Sequence, residues 1–260
     1  MMNWAKVTSA SQGQSVAVNV PSRVRFLEEL RSMIANGKGF TVATLNLDHV
    51  VKLRSNASFR SAYAKHSHIT ADGNPIVWLS RLSGVDVELI PGSELIEPVA
   101  KIAAEQGATV ALFGSTIEAL EPAAEALQSR FPGLEIAAVL SPPMGFDPSS
   151  ADALGAIEDL KSSGARIVFL ALGAPKQEEF AIHAASQMPS TGFFSIGAGL
   201  DFISGAQTRA PRWVRRLALE WLWRLLSSPI RLGRRYFACI VILPRLFVEA
   251  LRSRKGSAAT

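Results

Sequence analysis

In ITADGNP (residues 69–75) a carboxylate stands beside a glycine, Asp72 and Gly73, at the end of a short apolar stretch. Asp-Gly is ordinary turn chemistry, but a carboxylate at that place can also serve as a general base and take the proton of a hydroxyl nucleophile. TLNLDHV (44–50) puts Thr44 and Asn46 on one side of a strand end, because alternate side chains of a strand share a face. Asp48 and His49 follow and suggest a dyad. Adjacent residues rarely face each other, and Asp48 serves equally well as the N-cap of the next helix. PGSEL (91–95) opens a helix with Gly92, Ser93 and Glu94; its amides could hold phosphate, while Glu94 also simply compensates the helix dipole. FGST (113–116) has the same character, with Gly114, Ser115 and Thr116 leading from a strand into a helix. LGAPKQEEF (172–180) runs a strand into Gly173, pre-sets a helix start with Pro175 and fills its first turn with Lys176, Gln177 and Glu178. A lysine at that end opposes the dipole, so an anion such as a nucleoside diphosphate is expected to compensate it.

Other chemistries lack their residues. No GxGxxG and no Walker A lysine motif occurs, which leaves dinucleotide and P-loop chemistry unsupported. The nearest approach to a DxD metal pair is Asp86-Val-Glu88, where alternation points both carboxylates to a solvent face of a short edge segment. The four histidines are scattered and the one cysteine, Cys239, reads as core or lipid-facing filler, so no metal site is expected.

The elements that must position these residues alternate. Strands are predicted over 39–46, 108–114, 134–140, 165–173 and 191–199, with helices over 57–66, 92–106, 116–130, 150–163 and 175–187. This order predicts an α/β fold: a doubly wound, mostly parallel, Rossmann-like sheet of roughly five strands. Ligands of such sheets sit outside the carboxyl ends of the strands. TLNLDH, FGST, LSPPMGF, LGAPKQEE and GAGLDF end the five strands, and all are rich in small or polar residues.

With 260 residues, 48% of them hydrophobic, the chain can bury a full core. Its net charge of +5 conceals two regions. Residues 1–204 hold 15 Lys+Arg against 20 Asp+Glu, a net of −5, and residues 205–260 hold 12 against 2, a net of +10. The division expected is an α/β catalytic domain over 1–204 and a basic amphipathic helical appendage over 205–260. From Arg212, Val214, Leu217, Ala218, Trp221, Leu222 and Leu225 fall on one helix side, Arg212, Arg216, Glu220 and Arg224 recur every fourth position, and Pro229 breaks the pattern. Tryptophan and leucine opposite basic residues mark a helix lying in a membrane interface, and each cation near an anionic leaflet contributes ~1 kcal/mol. No nucleic-acid-reading module accompanies the charge, so an anionic membrane surface is the expected partner. The alternative use of the tryptophan side is docking onto the main domain. The N-terminus lacks a signal-peptide pattern, and the longest uninterrupted apolar stretch, Tyr236 to Leu243, ends at Pro244 and Arg245, far short of the ~20 residues that span a bilayer. The expected location is therefore cytoplasmic, peripheral on the inner face of the plasma membrane.

Taken in order, TLNLDHV, the DG of TADGNPIVW, PGSEL, LGAPKQE, GAGLDFISG and RAPRWVRRLALEWLWRLL resemble the WecG/TagA/CpsF family, glycosyltransferase family 26, over roughly residues 20 to 236. The resemblance implies an inverting transferase that moves a sugar from a UDP-sugar onto an undecaprenyl-diphosphate-linked saccharide, without a DxD metal and without a cofactor. It assigns Asp72 as general base and Thr44 and Asn46 as pocket residues, and it places Gln177 in the donor site with Lys176 and Asp201 beside it. Gly73, Ser93, Gly114, Ser115 and Gly173 complete the expected substrate-binding set. Arg212, Arg215, Arg216, Arg224, Arg231 and Arg234 are expected to meet lipid diphosphate or membrane, and the family suggests a homo-oligomer. One departure is VELIPGSEL, where some relatives carry a longer leucine-proline-arginine stretch before the glycine. Two other functions compete: a catalytically idle nucleotide-sugar-binding protein recruited to the membrane, and an oxidoreductase, which the missing glycine fingerprint disfavours.

Overall fold

Outside the edge strand at 136–140, whose residues are half-buried, nearly all strand residues are buried, as a parallel sheet between two helix layers requires. The computed structural model describes residues 16–207, 210–211, 213–214 and 220–257. Six strands, β1 (Phe40–Leu45), β2 (His68–Ala71), β3 (Val110–Gly114), β4 (Ile136–Leu140), β5 (Ile167–Ala171) and β6 (Gly192–Ser195), form one sheet in the order β2-β1-β6-β5-β3-β4, every pair parallel. Leu45 stands opposite Ala71, and Gly114 opposite Ala171, so the carboxyl ends line up along one rim.

Period-two alternation sends successive side chains to opposite layers. Val110 and Leu112 of β3 and Ile167 and Phe169 of β5 join α1 (Arg23–Ala35), α5 (Ile96–Gln106) and α6 (Ile117–Arg130) in one cluster. Their neighbours Ala111, Phe113, Val168 and Leu170 face α7 (Ala151–Ser162) and α8 (Lys176–Gln187). Ala43 and Leu45 of β1 lie in a third cluster with α2 (Leu47–Ser55), α3 (Ala57–Ala64) and α4 (Asn74–Leu82). The doubly wound sheet is therefore present, with one more strand than expected. β2 escapes the periodicity reading because two of its four residues, His68 and Thr70, are polar and nevertheless buried. Their partners come from elsewhere: Thr70 Oγ1 donates to Ile90 O (2.8 Å) and His68 lies 3.3 Å from a Glu29 oxygen.

Two helix expectations change in detail. The predicted helix over 92–106 divides into a 3-10 turn, Gly92–Glu94, and α5. The N-cap of α2 is Asn46, whose side chain accepts from the His49 amide at 3.0 Å, and Asp48 is an early residue inside the helix.

Beyond α9 (Gly199–Ile203), the tail forms α10 (Glu220–Ser227) and the long α11 (Pro229–Ser257). Pro229 opens α11, as a residue whose missing amide costs nothing at a helix start should. Pro244, which ends the apolar run in the sequence, sits inside the same helix; the backbone carbonyl it leaves without a donor is four residues back, on exposed Ile240. One side of α11 docks on the body: Ile242, Leu246 and Ala250 pack with Val50, Leu53, Val77 and Leu79. A fully buried leucine such as Leu246 contributes about 1.5–3 kcal/mol. The other side exposes Ile230, Phe237, Ile240, Val241, Phe247 and Val248 among Arg234, Arg245 and Arg252. α11 thus carries an apolar stripe on the domain and a mixed apolar and basic stripe in solvent, whereas Trp213 and Trp221, in the stretch whose tryptophan side was expected to meet membrane or the domain, are exposed. No helix among the described residues is long and apolar enough to cross a membrane.

Candidate active site

The rim at the carboxyl ends of the strands gathers the residues singled out in the sequence. After β1, Thr44 is buried, its hydroxyl 3.5 Å from Ser195 O of β6. Its methyl lies against the 3-10 turn so closely that a Cβ at Gly92 would stand 3.2 Å from it. Asn46 follows as the cap of α2. After β2, the Asp72 amide donates to Leu45 O at 2.8 Å, which ties this carboxylate to the end of β1. Gly73, at φ 110, then turns the chain into α4, a backbone conformation that L side chains rarely adopt. Ser93 rests on the turn after β6, where a Cβ added to Gly199 would come within 3.2 Å of Ser93 Cα.

On the far side of the rim, β3 and β5 approach closely. A Cβ at Gly114, where φ is 113, would stand 2.6 Å from the Ala171 carbonyl carbon. Ser115 is the one described non-glycine residue with positive φ (51), the kind of backbone outlier that collects at binding sites. Its amide donates to Ala171 O (3.0 Å) and its hydroxyl to Asp201 Oδ1 (2.8 Å), while Gln207 Nε2 donates to Asp201 Oδ2 (2.7 Å). Gln177 is buried with its carboxamide stretched between loops: Oε1 accepts from the Gly197 amide (3.0 Å) and Nε2 donates to Glu178 Oε1 (2.8 Å). The Gln177 amide bonds Gly173 O (3.1 Å), closing the turn that starts α8. Lys176 faces the 147–149 loop: Asp147, kept below the usual carboxylate range by the Ser149 amide and hydroxyl, feels the Lys176 charge as well.

A buried acid cluster lies behind this rim. Burial pushes the Glu178 carboxyl up to about 8. Burial also raises the Tyr63 phenol, aided by the charges of Glu178 and Asp72. Tyr63 OH is 3.2 Å from His49 Nδ1, and burial lowers His49 to about 3, so that it stays neutral. His49 stands edge-on to Phe59 and Tyr63, with ring centroids 5.8 and 5.9 Å away. It is a core imidazole in contact with a phenol, and the dyad with Asp48 does not form. Asp48 points the other way, its Oδ2 2.8 Å from Lys52 Nζ and 3.1 Å from Arg235 Nε of α11.

The structure therefore brings Thr44, Asn46, Asp72, Gly73, Ser93, Gly114, Ser115, Gly173, Lys176, Gln177 and Asp201 to one rim. The tail arginines divide. Arg212, Arg215 and Arg216 lie outside the described residues, Arg224 and Arg231 fall within α10 and α11, and Arg234 is exposed on α11. Among the described residues, a tail cation ion-paired with a carboxylate of the body is Arg235, one residue along, which the sequence did not single out. Lys52 was also passed over, although the i,i+4 spacing of Asp48 and Lys52 was a legible signal, and Glu178 was read as a first-turn residue of a helix and not as a buried acid. The Asp86-Val-Glu88 carboxylates are exposed as expected: Asp86 pairs with Arg81 (3.0 Å) and Glu88 accepts from the Arg23 amide (2.8 Å). Cys239 is buried, and that burial raises its thiol to about 11, so it is unreactive filler against the body.

The chain is similar in sequence to known proteins. The model of the glycosyl transferase WecG/TagA/CpsF family matches residues 14–259. An N-acetylglucosaminyldiphosphoundecaprenol N-acetyl-beta-D-mannosaminyltransferase from Staphylococcus aureus strain MW2 is 30% identical over 214 residues, covering 81% of this chain and 82% of the relative. Its counterpart in strain MRSA252 is 31% identical over 215 residues, with the same coverage.

Proposed function

The chain belongs to the WecG/TagA/CpsF family of glycosyl transferases, and from that premise we propose that it moves a hexose or N-acetylhexosamine-type sugar from a UDP-sugar to an undecaprenyl-diphosphate-linked saccharide in cell-surface polysaccharide synthesis. The relatives' names make N-acetylmannosamine the first sugar to test and an N-acetylglucosaminyl lipid diphosphate the first acceptor. The observation that carries the reading is Asp72, a carboxylate at the rim, tied through its amide to the end of β1 beside Thr44 and Asn46.

In this reading the acceptor hydroxyl attacks the anomeric carbon from the face opposite UDP. Asp72 takes its proton, the new C1–O bond forms as the C1–O bond to the diphosphate breaks, and UDP leaves with the electron pair, so configuration inverts. UDP departs without a metal: amides at the starts of α6 and α8, with Lys176, meet the developing charge. The rim on the β3, β5 and β6 side then holds the donor, and the β1–β2 side holds the acceptor. Positioning at the cytoplasmic membrane face falls to α11, whose exposed Phe237, Ile240, Val241, Phe247 and Val248 stand among arginines, the composition that lies flat in an anionic interface.

The test is a panel of UDP-sugars with a short-chain lipid-diphosphate acceptor, read by product mass and UDP release. Asp72→Asn is expected to lower kcat by roughly 10²–10⁴-fold with Tm unchanged. Full activity in that variant would remove the mechanism, and UDP binding without acceptor-dependent release would favour an idle binding protein.

A further inference from the structure

Lys52 joins three parts of the molecule. It lies in α2, and its ammonium is 2.8 Å from Asp48 Oδ2 and donates to Ala174 O (3.1 Å), in the loop between β5 and α8. The same Asp48 oxygen is 3.1 Å from Arg235 Nε of α11. An ordinary i,i+4 pair on a helix has both ends in water and does little. Here the carboxylate is only 11% exposed and faces two cations, and the ammonium's other contact is a backbone carbonyl on a distant loop.

That carbonyl occupies a sensitive place. Ala174 precedes Pro175 and the first turn of α8, where Gln177 closes onto Gly173 and reaches across to the Gly197 amide. A cation on the Ala174 oxygen fixes the orientation of its peptide plane, and with it the direction in which α8 starts and the Gln177 carboxamide is offered. Lys52 also adds its charge beside Glu178, the hydrogen-bond partner of Gln177. Arg235 gives Asp48 a second positive partner and clamps it against α11, so that tail docking and order in the β5–α8 loop share one carboxylate.

We infer that Lys52 is a positioning residue for the sugar-nucleotide donor, acting through the Ala174 carbonyl, and that Arg235 couples the docked tail to it through Asp48. The inference rests on the reading of residues 173–177 as the donor side.

The experiment uses the full chain, with Lys52→Met, Lys52→Arg, Arg235→Met and the Lys52→Met/Arg235→Met double variant. Steady-state kinetics with UDP-N-acetylmannosamine are measured beside hydrogen exchange of the amides in 173–177. Lys52→Met is expected to raise the donor KM roughly tenfold, with acceptor KM and kcat within about twofold of the parent. It should speed exchange in 173–177 while the strand amides of β5 stay protected, and Lys52→Arg should recover part of both effects. Arg235→Met should shift the donor KM in the same direction by less, and the double variant should be no worse than Lys52→Met alone, as expected for one shared pathway. An unchanged donor KM and unchanged exchange in Lys52→Met would overturn the inference, as would full additivity in the double variant. If the parent protein neither binds nor turns over any UDP-sugar, the donor reading falls, and the inference falls with it; a working parent beside an unaltered Lys52→Met sinks the inference alone.

Discussion

At the β3–β5 side of the rim the chain is fixed by its own backbone. Gly114 lies so close to Ala171 that no side chain fits, Ser115 is held at positive φ, and its hydroxyl and amide are both bonded. At the β1–β2 side the critical residues sit at helix starts instead, Asn46 on α2 and Asp72 ahead of α4, and those two helices rest on α11. One half is set by steric exclusion in the middle of the sheet, and the other depends on a segment more than 150 residues further along the chain. Under the proposed function, rigid backbone suits the donor nucleotide's pocket. In the same reading, a braced pair of helices suits a lipid-linked acceptor.

Three changes test that contrast, taken from the largest effect down. Gly114→Ala forces a Cβ against backbone at a φ that alanine avoids, and should cost roughly 4 kcal/mol. Urea melts would show a lowered midpoint, and a variant as stable as the parent would mean that the two strand ends are free to move apart. Leu246→Ala empties a fully buried site between α11 and the α2–α4 pair and should cost about 2–3 kcal/mol, the lower part of the range because the far side of that helix is in solvent. Its sharper readout is kinetic: acceptor KM should rise more than donor KM, and the reverse order would break the division between the halves. Glu178→Gln is the mildest at acid pH, where both side chains are uncharged. The native carboxyl keeps its proton up to about 8 whereas an ordinary glutamate loses it near 4.5. Between those values the unfolded chain binds fewer protons than the native one, so native stability falls as pH rises. The glutamine variant lacks this loss. Its Tm should draw progressively ahead of the parent's from pH 4.5 to 8 and stay ahead above pH 8; parallel curves across that window would show that the side chain is not held protonated.

The legible parts of the molecule were those whose signal is local. Five strands stand out because Val, Ile, Leu and Phe crowd together between glycines, and the strand ends mark the rim. β2 stayed hidden because His68 and Thr70 find their partners on Glu29 and Ile90, residues far away in sequence. Asn46 was read as a pocket residue and is also a cap, since its carboxamide satisfies the amide of His49. Asp72 could be picked out by its neighbours, but its tie to Leu45 exists only once β1 and β2 pair. The acid cluster of Tyr63 and Glu178, and the arrival of Arg235 at the Asp48–Lys52 pair, arise from distant segments packing together, and of these contacts the i,i+4 spacing of Asp48 and Lys52 is the part written along the chain.

The strand order also governs how the protein comes into being. β1 ends at Leu45, yet one of its two edges is covered by β6, which begins at Gly192. During synthesis about 150 residues must follow before that edge finds its neighbour, a wait on the order of ten seconds or more at ribosomal rates. Until then an apolar strand edge is open to wrong pairing, and the nascent chain has no assembled rim. A transferase that could act half-made would release sugar to no purpose, and this topology defers the first turnover at least until β6 has emerged.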